Sequence, residues 1–230
     1  MRNGVFLVCI IFCLGVATHA EEKSTLLTFS NFNEFYQNFQ VSIYGFEECG
    51  CSFTPENVVV NDSLLSLHLD KNDSGNAVAY TGGCVLSRQT FGYGTYTVCM
   101  KNQIVPGTVS SFFIMNTWKD TDWNHQEIDI EFLGNDPSSI QVTTHYYRQG
   151  YDSSHVFVYK LPFNSNDDFH EYAIRLTAEK VEWFVDGNRI HVETEDLPSA
   201  REMNILMNHW LGAVNNDDII EWLGSVHDVN

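Results

Sequence analysis

The stretch His125-Gln-Glu-Ile-Asp-Ile-Glu-Phe-Leu-Gly134 alternates polar and apolar residues with a period of two. Successive side chains of a β-strand point to opposite faces, so Glu127, Asp129 and Glu131 share one face while Ile128, Ile130 and Phe132 enter the core. Three acids in one row repel one another, a cost more usual at a working site than on an idle solvated strand. Their Cα atoms advance about 6.7 Å per two residues, so the outer carboxyls begin roughly 13 Å apart and must lean inward to cooperate. Long glutamate side chains allow this. The middle acid has its own effect: a carboxylate beside a carboxyl disfavours a second negative charge, so Asp129 helps keep Glu127 or Glu131 protonated when the chemistry requires it.

Working outward, the same alternation recurs in Leu64–Leu69, Tyr93–Met100, Val109–Met115, Ile140–Tyr147, Val156–Leu161, Tyr172–Leu176 and Val181–Val185, all rich in β-branched or aromatic residues. Turn chemistry separates them: Asp-Ser-Gly, Gly-Asn-Asp-Pro and Asn-Ser-Asn-Asp-Asp. Asp186-Gly187, between Val181–Val185 and Ile190–Val192, predicts a two-residue hairpin. One short helix is expected over Asn31–Asn38, with Asn31 as its cap. Many short strands over about 200 residues imply an all-β antiparallel sandwich.

Composition narrows the ligand. Asp and Glu number 30 against 12 Lys and Arg, a formal charge of −18, so nucleic acid and acidic polysaccharides meet a like-charged surface and a neutral ligand is expected. With 43% apolar and 13% aromatic residues the chain builds one full core. Residues 1–20 read as a signal peptide: Arg2, an apolar run from Val5 to Val16, then Thr18-His19-Ala20 before two acids. That run is too short to span a bilayer, and no later segment is long and apolar enough. The expectation is a secreted monomer whose single domain occupies residues 21–230. Four cysteines follow the leader: Cys49, Cys51, Cys84 and Cys99. They allow three pairings, and an oxidising compartment favours at least one disulfide. Cys49-Gly-Cys51 is too tight for the usual ligand spacing, so no metal site is expected.

Glycosidic-bond cleavage by double displacement needs a nucleophilic carboxylate and an acid/base carboxyl about 5–5.5 Å apart, and one strand can supply both. At this point the chain resembles a known family. EIDIEFLG at Glu127–Gly134 matches the catalytic signature of glycoside hydrolase family 16, in the form found in bacterial-type lichenases and xyloglucan-modifying members. The likeness extends to FGYGTYTVCMK at Phe91–Lys101, VSSFF at Val109–Phe113, FHEY at Phe169–Tyr172, VEWFVDG at Val181–Gly187, MNHW at Met207–Trp210 and WLGS at Trp222–Ser225, in the family's order and spacing.

The resemblance implies a concanavalin-like β-jelly roll with a glycan cleft across one sheet, and a retaining endo-β-glucanase acting on mixed-linkage 1,3-1,4-glucan or a related neutral glucan without a cofactor. By motif position Glu127 matches the nucleophile, Asp129 the assisting acid and Glu131 the general acid/base. Trp210, Trp222, Tyr146 and Tyr147 match aromatics that stack on sugar rings, with His125 and His145 beside them in the cleft. It also implies a Cys51–Cys84 bridge, with Cys49 and Cys99 joined or left as thiols. Departures concern the neighbours. Gln126 stands where the family commonly has Asp, His125 where lichenases have Trp, Cys84 and Leu86 where they have Glu and Arg, and His145 where they have Asn. The family continues past WLGS into a final strand that donates a calcium ligand, whereas this chain stops at Asn230, so either that strand is absent or the chain is a fragment, and calcium is left unsupported. A transglycosylase on xyloglucan or a glucan-binding lectin-like module are the other readings.

Overall fold

The computed structural model describes residues 5–9, 31–46, 51–61, 63–72, 78–116, 125–148, 150–199, 202–212 and 217–224. Two sheets pack face to face. The first runs β16 (Asn188–Glu193), β15 (Val181–Val185), β14 (His170–Leu176), β9 (Gly94–Lys101), β1 (Val5–Cys9), β6 (Leu64–His68) and β5 (Val58–Asn61). The second runs β13 (Tyr151–Lys160), β12 (Ser139–Arg148), β11 (His125–Leu133), β10 (Thr108–Asn116), β17 (Met203–Leu211), β8 (Tyr80–Ser87), β4 (Cys51–Phe53) and β3 (Gly45–Phe46), with β2 (Phe39–Val41) and β7 (Asp70–Lys71) also paired to β8. Among the described residues every strand pairing is antiparallel except β4 with β8.

The core lies between the sheets and is built by the alternation. Ile128, Ile130 and Phe132 of β11 are fully buried against Tyr172, Ile174 and Leu176 of β14 and Val181, Trp183 and Val185 of β15. Phe132 and Tyr172 meet edge to face across the interface, ring centroids 4.9 Å apart, a geometry the ring quadrupoles favour. The Trp183 indole N–H donates to the Asp129 carbonyl at 3.0 Å. The strand that carries the acids is thereby fixed from behind by the opposite sheet.

Local signals translate directly. Asp186 and Gly187 have φ of 47° and 74°, the left-handed pair of a type I′ turn. Helix α1 (Phe32–Asn38) begins at Asn31, whose Oδ1 accepts from the amides of Asn33 and Glu34. Gly134, which ends the acidic strand, has no room for a side chain: a Cβ there would lie 1.8 Å from the Val105 carbonyl oxygen. A second helix, α2 (Asp217–Leu223), has no counterpart among the sequence expectations.

Two features qualify those expectations. β1 lies inside the leader segment yet occupies an interior place in the first sheet, paired with β6 and β9. Cys51 and Cys84 are both buried in a second apolar cluster with Phe53, Val109 and Trp210, but they stand there as thiols and not as the expected disulfide. Cys49 lies outside the described residues. No helix among the described residues is long and apolar enough to cross a membrane.

Candidate active site

Strand pairing turns the acidic row into a surface. Directly opposed residues of antiparallel strands project to the same face, so the register extends each acid sideways. Glu131 lies between Ser111 of β10 and Gln141 of β12, Asp129 between Phe113 and Thr143, and Glu127 between Met115 and His145. Asn208 of β17 continues the Glu131 row and Leu206 the Asp129 row. Glu127 and Glu131 line one cavity of about 520 Å³, with Phe113, Leu206, Asn208 and Trp210 among its walls.

The two outer acids have different partners. Glu127 Oε2 stands 2.7 Å from His125 Nε2. Glu131 Oε2 accepts from Gln141 Nε2 at 2.8 Å. Burial pushes the Glu131 carboxyl up to about 7; the Gln141 bond pulls it back and the Glu127 charge raises it. Asp129 is 4% exposed. Burial, then the charges of Glu127 and Glu131 and a hydrogen bond with Glu127, hold it well above the ordinary carboxylate range. A protonated Asp129 therefore donates toward Glu127. A carboxylate in reach of an imidazole and a carboxyl protonated near neutrality make a nucleophile and acid pair.

His145 faces the centre of this row. Its Nε2 is 3.4 Å from Asp129 Oδ2 and its Nδ1 is hydrogen-bonded to Ser154 at 2.7 Å. Burial lowers its pKa, against the raising effect of the Glu127 charge, which favours the neutral ring. Tyr147 pairs with His125 and shares the acids' face. Tyr146 does not: it pairs with Gln126, on the opposite face, and its ring packs edge-on against Tyr151 at 6.3 Å. A one-residue step along a strand reverses the face, and Tyr146-Tyr147 straddles that step. Trp210 lines the cavity and is only 8% exposed. Trp222, on α2, packs against the same apolar cluster.

Several contributors were not singled out from sequence. Gln141, Ser111 and Asn208 lack charge or aromatic character, and only the register brings them beside Glu131. Tyr44 reaches the cavity from the segment before β3. Gln126 has a structural place: its Oε1 accepts from the Ser199 amide at 2.6 Å and hydroxyl at 2.9 Å, on the face away from the acids. Among the described residues no three His, Cys, Asp or Glu side chains gather to hold a metal ion.

A family model described as glycosyl hydrolases family 16 matches residues 46–225. A β-glucanase of Bacillus licheniformis is 33% identical over 230 residues, covering 94% of this chain and 87% of that protein. A β-glucanase of Acetivibrio thermocellus is 33% identical over 175 residues, 76% of this chain; the match spans about half, 49%, of that relative's length. Among solved structures, a β-1,3-1,4-glucanase (lichenase) derived from a mouse hindgut metagenome superposes with a TM-score of 0.72 at 31% identity, covering 84% of this chain and 87% of that one. The expected jelly-roll sandwich is the architecture these proteins share with the chain.

Proposed function

The chain belongs to glycoside hydrolase family 16, and from that premise we propose that it is a retaining endo-β-glucanase acting on a neutral β-glucan, of mixed 1,3-1,4 linkage or closely related. The observation that carries this reading is the pairing of Glu127 beside an imidazole with Glu131 protonated near neutrality, in one cavity.

In the proposed reaction the Glu127 carboxylate attacks the anomeric carbon, and the bond to the leaving oxygen breaks as Glu131 gives that oxygen its proton. Water then attacks the glycosyl–enzyme bond, losing a proton to Glu131 and freeing Glu127. Asp129, protonated between them, donates to the Glu127 oxygen that is not bonded to the sugar. Trp210 offers an apolar face to a pyranose ring. The net charge of −18 supports a neutral polysaccharide over an anionic one. The same reading has the protein a secreted monomer, its leader removed at residue 20, with neither nucleic acid nor membrane as a partner.

Product analysis on soluble mixed-linkage glucan tests it. New reducing ends in step with falling viscosity are expected, and Glu127→Gln and Glu131→Gln should each lose at least about a hundredfold in rate while keeping their fold. Redistributed chain lengths without new reducing ends would mean transglycosylation. Binding without turnover would mean a lectin-like module.

A further inference from the structure

Helix α2 lies outside both sheets, yet one of its side chains is joined to the proton of the active site. The Trp222 indole N–H donates to Gln141 Oε1 at 3.1 Å, and Gln141 Nε2 donates to Glu131 Oε2 at 2.8 Å. An indole N–H only donates, so it must meet the oxygen of the amide. That choice turns the amide's NH2 toward Glu131. The reversed amide would offer Glu131 an oxygen, which only the protonated acid satisfies.

We propose that Trp222 is a positioning residue for Glu131, acting through Gln141, and that its indole N–H selects the amide orientation which favours the charged carboxylate. The proposal rests on Glu131 being the acid/base. It assigns Trp222 a role separate from stacking on sugar: it eases the return of Glu131 to the carboxylate that must activate water in the second half of the reaction.

The helix is held for this purpose. The Trp222 carbonyl accepts from Asn135 Nδ2 at 2.7 Å, just beyond the acidic strand, and the Leu223 carbonyl accepts from the Gly107 amide at 2.9 Å. The helix stops at Gly224, whose φ of 85° suits glycine. The titratable groups near Glu131 are Glu127 and Asp129 of its own strand, with His125 and His145 beside those two and Tyr44 on the cavity wall. β10 presents Ser111, β17 Asn208 and α2 Trp222 to this end of the row, and none of these titrates.

The test titrates Glu131 directly by carbon-13 NMR of labelled glutamate, in wild type, Trp222→Phe, Gln141→Leu and the double variant. Trp222→Phe keeps the ring and removes only the N–H. Each single change should move the Glu131 midpoint up by about one pH unit, and the double variant should move it no further. The basic limb of kcat/KM should move with it. An unmoved midpoint in Trp222→Phe, with KM alone raised, would reduce Trp222 to a stacking surface and overturn the proposal. If Trp222→Phe does not fold, Asn135→Ala loosens the same helix from outside the site and should shift the midpoint in the same direction; no shift there overturns the proposal equally. Because the titration needs no substrate, it reads the chain of bonds even on a protein that hydrolyses no glucan, a result that would count against the glucanase reading alone.

Discussion

His125 and Glu127 meet at 2.7 Å, one step before the acid row begins. They lie on the same strand two residues apart, so the pleat itself puts the imidazole beside the carboxylate. In the proposed reaction an imidazole there fixes which carboxylate oxygen is engaged and leaves the other for the anomeric carbon. Hydrogen bonds to charged groups contribute roughly 1.5–3 kcal/mol. His125→Ala should therefore lower kcat/KM on β-glucan by about 10- to 100-fold, with His125→Gln losing less because it keeps a donor. Equal losses in the two variants would mean that the ring acts by shape and not by its N–H.

In the proposed reaction Glu131 sets a pH limit on rate. Burial pushes its carboxyl up to about 7, and as the proposed acid it must be protonated to release the leaving group, so kcat/KM should fall as pH rises through that value. A pH–rate profile with no loss up to pH 9 would exclude Glu131 as the acid.

The same groups bear on stability. Asp129 and Glu131 are both held above the ordinary carboxyl range, chiefly by burial. Between that range and about pH 7 the folded chain binds more protons than the unfolded one, so stability falls as pH rises across this window. Melting temperature should decline from pH 5 to pH 8 in the wild type, and less steeply in Glu131→Gln. Parallel curves would show that other groups carry the slope.

Cys51 and Cys84 share one buried cluster, and burial raises the Cys84 thiol to about 12. As thiols they behave as small apolar side chains. Cys51 pairs with Tyr80, four residues short of Cys84 along the neighbouring strand, which puts the two beyond the reach of a disulfide, so both should remain thiols in the folded protein. Mass mapping of unreduced peptides checks this; recovery of a Cys51–Cys84 bridge would overturn it.

β1 belongs to the segment expected to be removed, yet it joins β6 to β9. A chain starting at Glu21 leaves both neighbours without that partner. Such a chain should melt roughly 5 °C or more below the full-length protein. Equal melting temperatures would show that β1 adds nothing to the folded domain.

Much of the fold is legible in the sequence. Period-two alternation identified the acidic strand and its buried face, Asn31 marked a helix start, and Asp186-Gly187 marked a turn, because each depends on covalent geometry within a few neighbouring residues. That Glu127, Asp129 and Glu131 form one row follows from the pleat alone. What surrounds the row does not. Gln141 reaches Glu131, and Asn208 joins its row beyond Ser111, through strand register, set by contacts between residues far apart in the chain. Tyr146 falls on the far face for the same reason, since a single residue of register reverses every side chain. The proton affinity of Glu131 was equally out of reach, because it comes from burial under neighbouring strands and from a glutamine oriented by a distant tryptophan. Local dihedral preference writes strands and turns into the sequence, whereas desolvation and long-range pairing exist only once the two sheets have closed on each other.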